Sequence, residues 1–195
     1  MNNHQVNVKY VSLITILSSL AIMITYLKIE LPYPLIPYLK FDFAEIPSML
    51  TLFLCDLKSS LIVATIHFLV LLYRGSFSPI GPLMKYTAVC CTLIGFSIGY
   101  NKSTSKLRNL IYHIMKALSL RVLVMSFMNY LIIVILFPHF LNFTILFLKK
   151  ILGNFIFINE LTTILLFTAL YNALHTILTI TLSYLIYKRV HRFIS

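Results

Sequence analysis

The residues whose types and spacing can do chemistry are few. Five carboxylates occur in 195 residues, and the only close pair is Asp42 and Glu45, in Lys40-Phe41-Asp42-Phe43-Ala44-Glu45-Ile46-Pro47. Asp42 can cap a helix start by accepting backbone N–H bonds, with Glu45 three residues later as in a capping box. Pro47 then falls in the first turn, where its missing N–H costs nothing. This reading sets both acids at a membrane surface, at the head of an apolar helix. The other reading makes residues 38–54 part of a loop that covers a ligand site.

Three further polar residues lie inside apolar runs, where each is costly to bury and therefore a candidate for function. Asn129 is nine residues before Pro138, about 13 Å along a helix. Asn172 and His175 are three apart and share a helix face. Asn172 is twelve residues after Glu160, roughly 18 Å down its own helix. All three can line one cavity at similar depth. Amides supply donors and acceptors together, which suits a neutral heterocycle. Alternatively they act as interhelical hydrogen bonds, worth about 0.6–2 kcal/mol each. Lys85 either snorkels to the interface or faces the cavity as a cation. Tyr86, Tyr130 and Tyr171 stand beside the polar positions and can stack a flat ligand. His67 reads as a packing residue on an apolar helix.

The elements that must position these groups are membrane helices. Hydrophobic residues make up 59% of the chain and charged residues 11%, with a mean hydropathy of +0.92. A water-soluble domain carries about 25% charged residues. The net charge of +11 does not indicate nucleic acid, because the cations sit at the ends of apolar runs and on no single polar face. Cys55, Cys90 and Cys91 are odd in number and lie in or beside apolar runs, so they read as packed thiols. No acidic, histidine or cysteine cluster has the spacing of a metal site, and no nucleophile-elbow, zinc-protease or phosphate-loop motif is present. No bound cofactor is expected.

The apolar pattern predicts an all-α integral membrane protein, one membrane-embedded domain over residues 1–195, with six helices in a compact bundle. They are predicted at residues 10–27, 45–55, 59–73, 83–100, from 109–116 to before Pro138, and 160–187. The second is too short to cross a bilayer core of about 30 Å unaided. Residues 31–37 carry three prolines and residues 74–82 are turn-rich, so both read as loops. Residues 139–159 read as a loop with a short interfacial helix, and residues 101–108 as a basic loop. With both termini cytoplasmic, ten lysines and arginines fall inside, Arg121 among them, and six outside. The longer loops are then external, and a site roofed by them opens outward.

Taken together, these stretches resemble the substrate-binding S components of energy-coupling factor (ECF) vitamin transporters, most closely the riboflavin-binding members. The resemblance rests on Lys40-Phe41-Asp42-Phe43-Ala44-Glu45-Ile46-Pro47 after a proline-bearing loop and on Pro79-Ile80-Gly81-Pro82-Leu83-Met84. It rests equally on Val124-Met125-Ser126-Phe127-Met128-Asn129-Tyr130 with a proline nine residues later, and on Tyr171-Asn172-Ala173-Leu174. Their order and spacing hold over nearly the whole chain. The resemblance implies a vitamin held in the outer halves of the last three helices under the first outer loop. Asn129 and Asn172 would then bond the vitamin, with Phe41, Asp42, Glu45, Lys85, Tyr86, Tyr171 and His175 around it. It implies no enzymatic activity and no nucleotide site. Transport energy would come from ABC ATPase subunits through an ECF transmembrane coupling subunit in the plasma membrane. In the family small residues on the first helix dock that subunit, and Thr15 and Ser19 are the matching candidates here. Two departures are plain. His175 stands where riboflavin binders often have lysine, and Lys85 where some have asparagine, so another vitamin or small heterocycle remains open as the ligand. Two readings from other classes remain. One is an intramembrane enzyme using Asp42, Glu45 and His175, which depth argues against, since the acids are expected near the surface and His175 near mid-depth. The other is an assembly protein in which the asparagines are only glue.

Overall fold

The computed structural model describes residues 3–36, 38–74, 77–100, 107–152 and 159–194. The expectations that rest on Pro37, Gly75, Lys102, Lys106, Gly153 and Asn154 lie outside the described residues. Among the described residues seven α-helices follow in order: α1 (Asn3–Leu27), α2 (Ile46–Leu54), α3 (Leu57–Arg74), α4 (Ile80–Ser97), α5 (Leu107–Leu131), α6 (Pro138–Leu152) and α7 (Glu160–Ile194). A hairpin of β1 (Glu30–Pro32) and β2 (Lys40–Asp42) joins α1 to α2 through a 3-10 turn at Phe43–Glu45. Among the described residues five stretches are long and apolar enough to cross a membrane: Val8–Leu27, Leu57–Arg74, Ile80–Ser97, Arg108–Leu136 and Glu160–Val190. The remaining apolar helix, Phe43–Leu54, is shorter.

That short helix is the centre of the molecule. Pro47 lies in its first turn, and Pro47 through Phe53 are all buried. A helix that is apolar all round belongs in a core, and α2 packs against α1, α3 and α7. A turn at Cys55 separates it from α3, so the chain reverses there instead of continuing. Asp56 opens α3 by accepting the Ser59 N–H at 2.7 Å. Around α2, the side chains of Met49, Phe53, Ala64, Val89, Leu93, Phe96, Ala117 and Ile180 form one buried cluster drawn from five helices.

Helix ends follow local chemistry. Lys28 has φ 52°, and Ile29 donates its N–H to the Ile24 carbonyl at 3.2 Å while Lys28 donates to Thr25 at 3.2 Å. That is the left-handed stop that closes a helix and satisfies its last carbonyls. Pro138 begins α6, where its missing N–H is no loss. Between α5 and α6 lies a π-helical turn, Ile132–Leu136, in which Phe137 donates to Ile132 O at 2.8 Å.

Three expectations need correction. The stretch after α1, read as a loop, pairs as antiparallel strands with Glu30 opposite Asp42 and Pro32 opposite Lys40. The segment after Pro138, read as a loop with a short helix, is a helix of 15 residues. The last helix runs 35 residues, about 52 Å, well past the expected end at residue 187.

Helices α4 and α5 approach closely because Gly95 has no side chain. A Cβ built there would stand 2.8 Å from Ala117 Cα and 3.0 Å from Lys116 O. Both neighbours are backbone and cannot rotate away. Gly95→Ala is therefore expected to lower stability by about 1–3 kcal/mol through overpacking, despite alanine's better helix propensity. A thermal melt in detergent checks this, and a raised melting temperature would mean that the helices can separate freely.

Candidate ligand-binding site

The site is built where the hairpin lies across α4, α5 and α7. Burial deepens along β2, from exposed Lys40 through half-buried Phe41 to buried Asp42. Lys40 pairs with Glu30 across the ladder, outside the site. The Phe41 ring packs on Tyr171 at 5.1 Å and meets His175 edge-on at 5.6 Å. Tyr33, from the turn between the strands, completes the cluster at 5.8 Å from Phe41 and 5.5 Å from Tyr171. Three bonds tie β2 down. Tyr171 donates its hydroxyl to Lys40 O at 2.5 Å, His175 Nε2 donates to Asp42 O at 3.3 Å, and the Asp42 carboxylate pairs with Lys85 of α4. The second Asp42 oxygen accepts the Ala44 N–H at 2.7 Å, so the expected cap forms, over the 3-10 turn.

Glu45 does not serve as the other half of a capping box. It begins α2 without a side-chain cap and is 2% exposed. Its carboxylate takes the Arg121 guanidinium in a fork, Nη1 to Oε2 at 2.8 Å and Nη2 to Oε1 at 3.4 Å. Arg121 is itself 1% exposed, in the middle of α5. It donates further from Nε to Asn172 Oδ1 at 3.2 Å, from Nη1 to Thr92 Oγ1 at 3.1 Å and from Nη2 to His175 Nδ1 at 3.1 Å. A guanidinium has five N–H groups and no acceptor, and here each has a partner. A buried charge survives only with this degree of pairing.

The arginine fixes its neighbours' hydrogens. Because it can only donate, Asn172 must turn its carbonyl oxygen toward Arg121, and its amide nitrogen donates to Thr168 O at 2.9 Å. For the same reason His175 accepts at Nδ1 and carries its proton on Nε2, the atom that meets Asp42 O. His175 is thus neutral and holds the hairpin with its only hydrogen.

Among the sequence-selected residues, the structure joins Asn172, His175, Glu45, Asp42, Lys85, Tyr171 and Phe41 into one contiguous set. Asn129 is not hydrogen-bonded into it. Its amide donates to Met125 O at 2.8 Å, and it stands eight residues, about 12 Å, along α5 from Arg121. Tyr86 turns the other way, stacking on Phe68 at 4.8 Å and sharing a hydrogen bond with Thr65 at 3.0 Å. Tyr130 is exposed. Lys85 is spent on Asp42 instead of reaching to the interface. His67 is buried against Thr25, 3.0 Å away, as a packing residue would be. Thr15 and Ser19 are exposed on α1. The three cysteines are free thiols.

The expected separation in depth of the acids and His175 is wrong. His175 Nε2 is 3.7 Å from Glu45 Oε1. Their meeting still makes no acid–base pair, since Glu45 is neutralised by Arg121 and the His175 lone pair is taken by the same guanidinium. Among the described residues no three His, Cys, Asp or Glu side chains are grouped to hold a metal ion.

Sequence reasoning missed Arg121, Thr92 and Tyr33. Arg121 carried the clearest signal, a lone arginine between Leu120 and Val122 in an apolar run, which marks an intramembrane charge. Counting it among the inner-side cations concealed it.

Three comparisons bear on this arrangement. No protein-family model matches the chain. The chain is 31% identical over 105 residues to the riboflavin transporter RibU of Staphylococcus aureus (strain TCH60), covering 53% of this chain and 54% of that one. It thus spans about half the length of the curated relative it matches. The fold is that of a solved S component of a bacterial ECF transporter, with a TM-score of 0.72, 24% identity, and coverage of 97% of this chain and 99% of the other.

Proposed function

We propose that the chain is the membrane-embedded vitamin-binding subunit of an ECF-type importer and that its ligand is riboflavin. The observation that carries the reading is the S-component fold across nearly the full chain, with the hairpin seated over a polar set on α5 and α7. The similarity to a riboflavin transporter over half the chain supports the choice of vitamin. The role is binding and delivery, with no catalytic step. In this reading α1, α2, α3, α4, α5 and α7 make six crossings, α2 the shortest, with both termini cytoplasmic and the chain in the plasma membrane. The hairpin and α6 then share the outer side, in keeping with the buried cluster of Tyr33, Ile36, Ile145 and Leu148 between them. The vitamin lies between hairpin, α5 and α7, against Asn129, Asn172 and the Phe41–Tyr171 rings. An ECF transmembrane coupling subunit docks on the face of α1 that exposes Thr15 and Ser19, and ABC ATPase subunits supply the energy.

Titrating riboflavin into detergent-purified protein tests this through flavin fluorescence. Saturable one-to-one quenching is expected, weakened about tenfold or more by Asn172→Ala or Asn129→Ala, since each removes a donor from a buried polar contact. Failure to quench, with a thermal shift from a different vitamin, would transfer the site to that ligand. Lys85 and His175 are then the residues to examine for the change.

A further inference from the structure

The hydrogen-bonding capacity left at the site identifies a ligand contact in the hairpin. Arg121 has spent all five N–H groups, and His175 both ring nitrogens. Tyr171 has spent its only hydrogen on Lys40 O, and both acids are ion-paired. None of these has a hydrogen left to donate to a ligand. Asn172 retains one N–H, and Asn129 one N–H and its oxygen. Lys85 keeps N–H groups beyond the one on Asp42, and the Tyr33 hydroxyl is a further donor. Tyr33 is 4% exposed, and among the described residues its hydroxyl has no hydrogen-bond partner.

A buried unpaired hydroxyl is unfavourable, so its retention calls for an explanation. The other three such hydroxyls, on Ser18, Ser48 and Thr179, lie within helices. There a small rotation reaches the carbonyl one turn back. A phenol cannot do this, because its oxygen stands a full ring away from its own backbone. The ring itself is well placed, packed against both Phe41 and Tyr171. Burial also pushes its phenol up from the ordinary tyrosine range, so the proton is retained for donation.

We infer that the Tyr33 hydroxyl is a ligand-binding group that donates a hydrogen bond to a carbonyl oxygen or ring nitrogen of a flat heteroaromatic ligand held against Phe41 and Tyr171. The inference rests on the vitamin-binding reading above and adds a specificity-determining residue to it. It also gives the hairpin a direct part in recognition, beyond covering the site.

Tyr33→Phe is the test, because it removes one oxygen that hydrogen-bonds no described protein group. The melting temperature of ligand-free protein is expected to stay level or rise, which shows that the hairpin is intact. The riboflavin Kd, read by fluorescence quenching, is expected to rise about tenfold. A Kd within twofold of wild type overturns this inference and leaves the vitamin reading standing. A wild-type protein that binds no flavin overturns both. A fall in ligand-free melting temperature would show that the hydroxyl has a structural partner, which also overturns the inference.

Discussion

Arg121→Met is expected to lower stability by about 3–5 kcal/mol, because it strands the Glu45 carboxylate in the core. For a chain of this size that is a drop in melting temperature of about 6–20 °C. The size follows from geometry. Glu45 is 2% exposed, and Arg121 is its one paired cation within hydrogen-bond range among the described residues. Arg121→Lys is expected to recover little, since an ammonium cannot hold the fork on Glu45 while reaching Asn172, Thr92 and His175. The informative companion is Glu45→Leu with Arg121→Met. Replacing both members of a buried pair with apolar groups is often neutral or stabilising, so most of the loss should return in a detergent melt. Equal loss in the single and double variants would mean that the arginine acts through Asn172 and His175, with Glu45 secondary.

Asp42→Asn is expected to leave the fold intact but to release bound riboflavin about tenfold faster. Asparagine keeps an oxygen for the Ala44 N–H, so the 3-10 turn retains its cap. What disappears is the charge that draws Lys85 to the hairpin. Lys85 is partly exposed and can extend its ammonium toward the interface, so its own penalty is small. Strand β2 then keeps two tethers, Tyr171 to Lys40 O and His175 to Asp42 O. A tenfold change corresponds to about 1.4 kcal/mol, a modest value for a partly exposed ion pair. Stopped-flow release of flavin measures it directly. An unchanged rate would show that the other two tethers hold the hairpin without the ion pair.

The two variants separate two layers of the site. Arg121 and Glu45 form a fully satisfied floor that fixes how Asn172 presents its amide. Asp42 and Lys85 fasten a roof above it. If that division is right, Arg121→Met should affect ligand-free stability most, and Asp42→Asn the ligand's residence.

The amino-acid sequence by itself determined the helical membrane class, the break at the prolines after α1, the start of α2 close to Glu45 and the shared helix face of Asn172 and His175. These are local matters. Apolar run length, proline position and the i, i+3 face all follow from backbone geometry, which neighbours in the chain suffice to reveal. The resemblance to S components was equally legible, since it rests on motifs that can be read in order. Only the tertiary structure decided the partners of the charges. Glu45 and Arg121 are 76 residues apart, and Arg121 and Asn172 are 51 apart. A carboxylate at a helix start is a cap when solvent faces it and an ion-pair partner when a buried guanidinium does. Sequence spacing cannot distinguish the two, because the choice is made by whichever side chains packing brings within reach. The same holds for the hairpin, whose strands of three residues are too short to carry a pattern. They exist because Tyr171, His175 and Lys85, all distant in the chain, supply the hydrogen bonds and the charge that hold them in place.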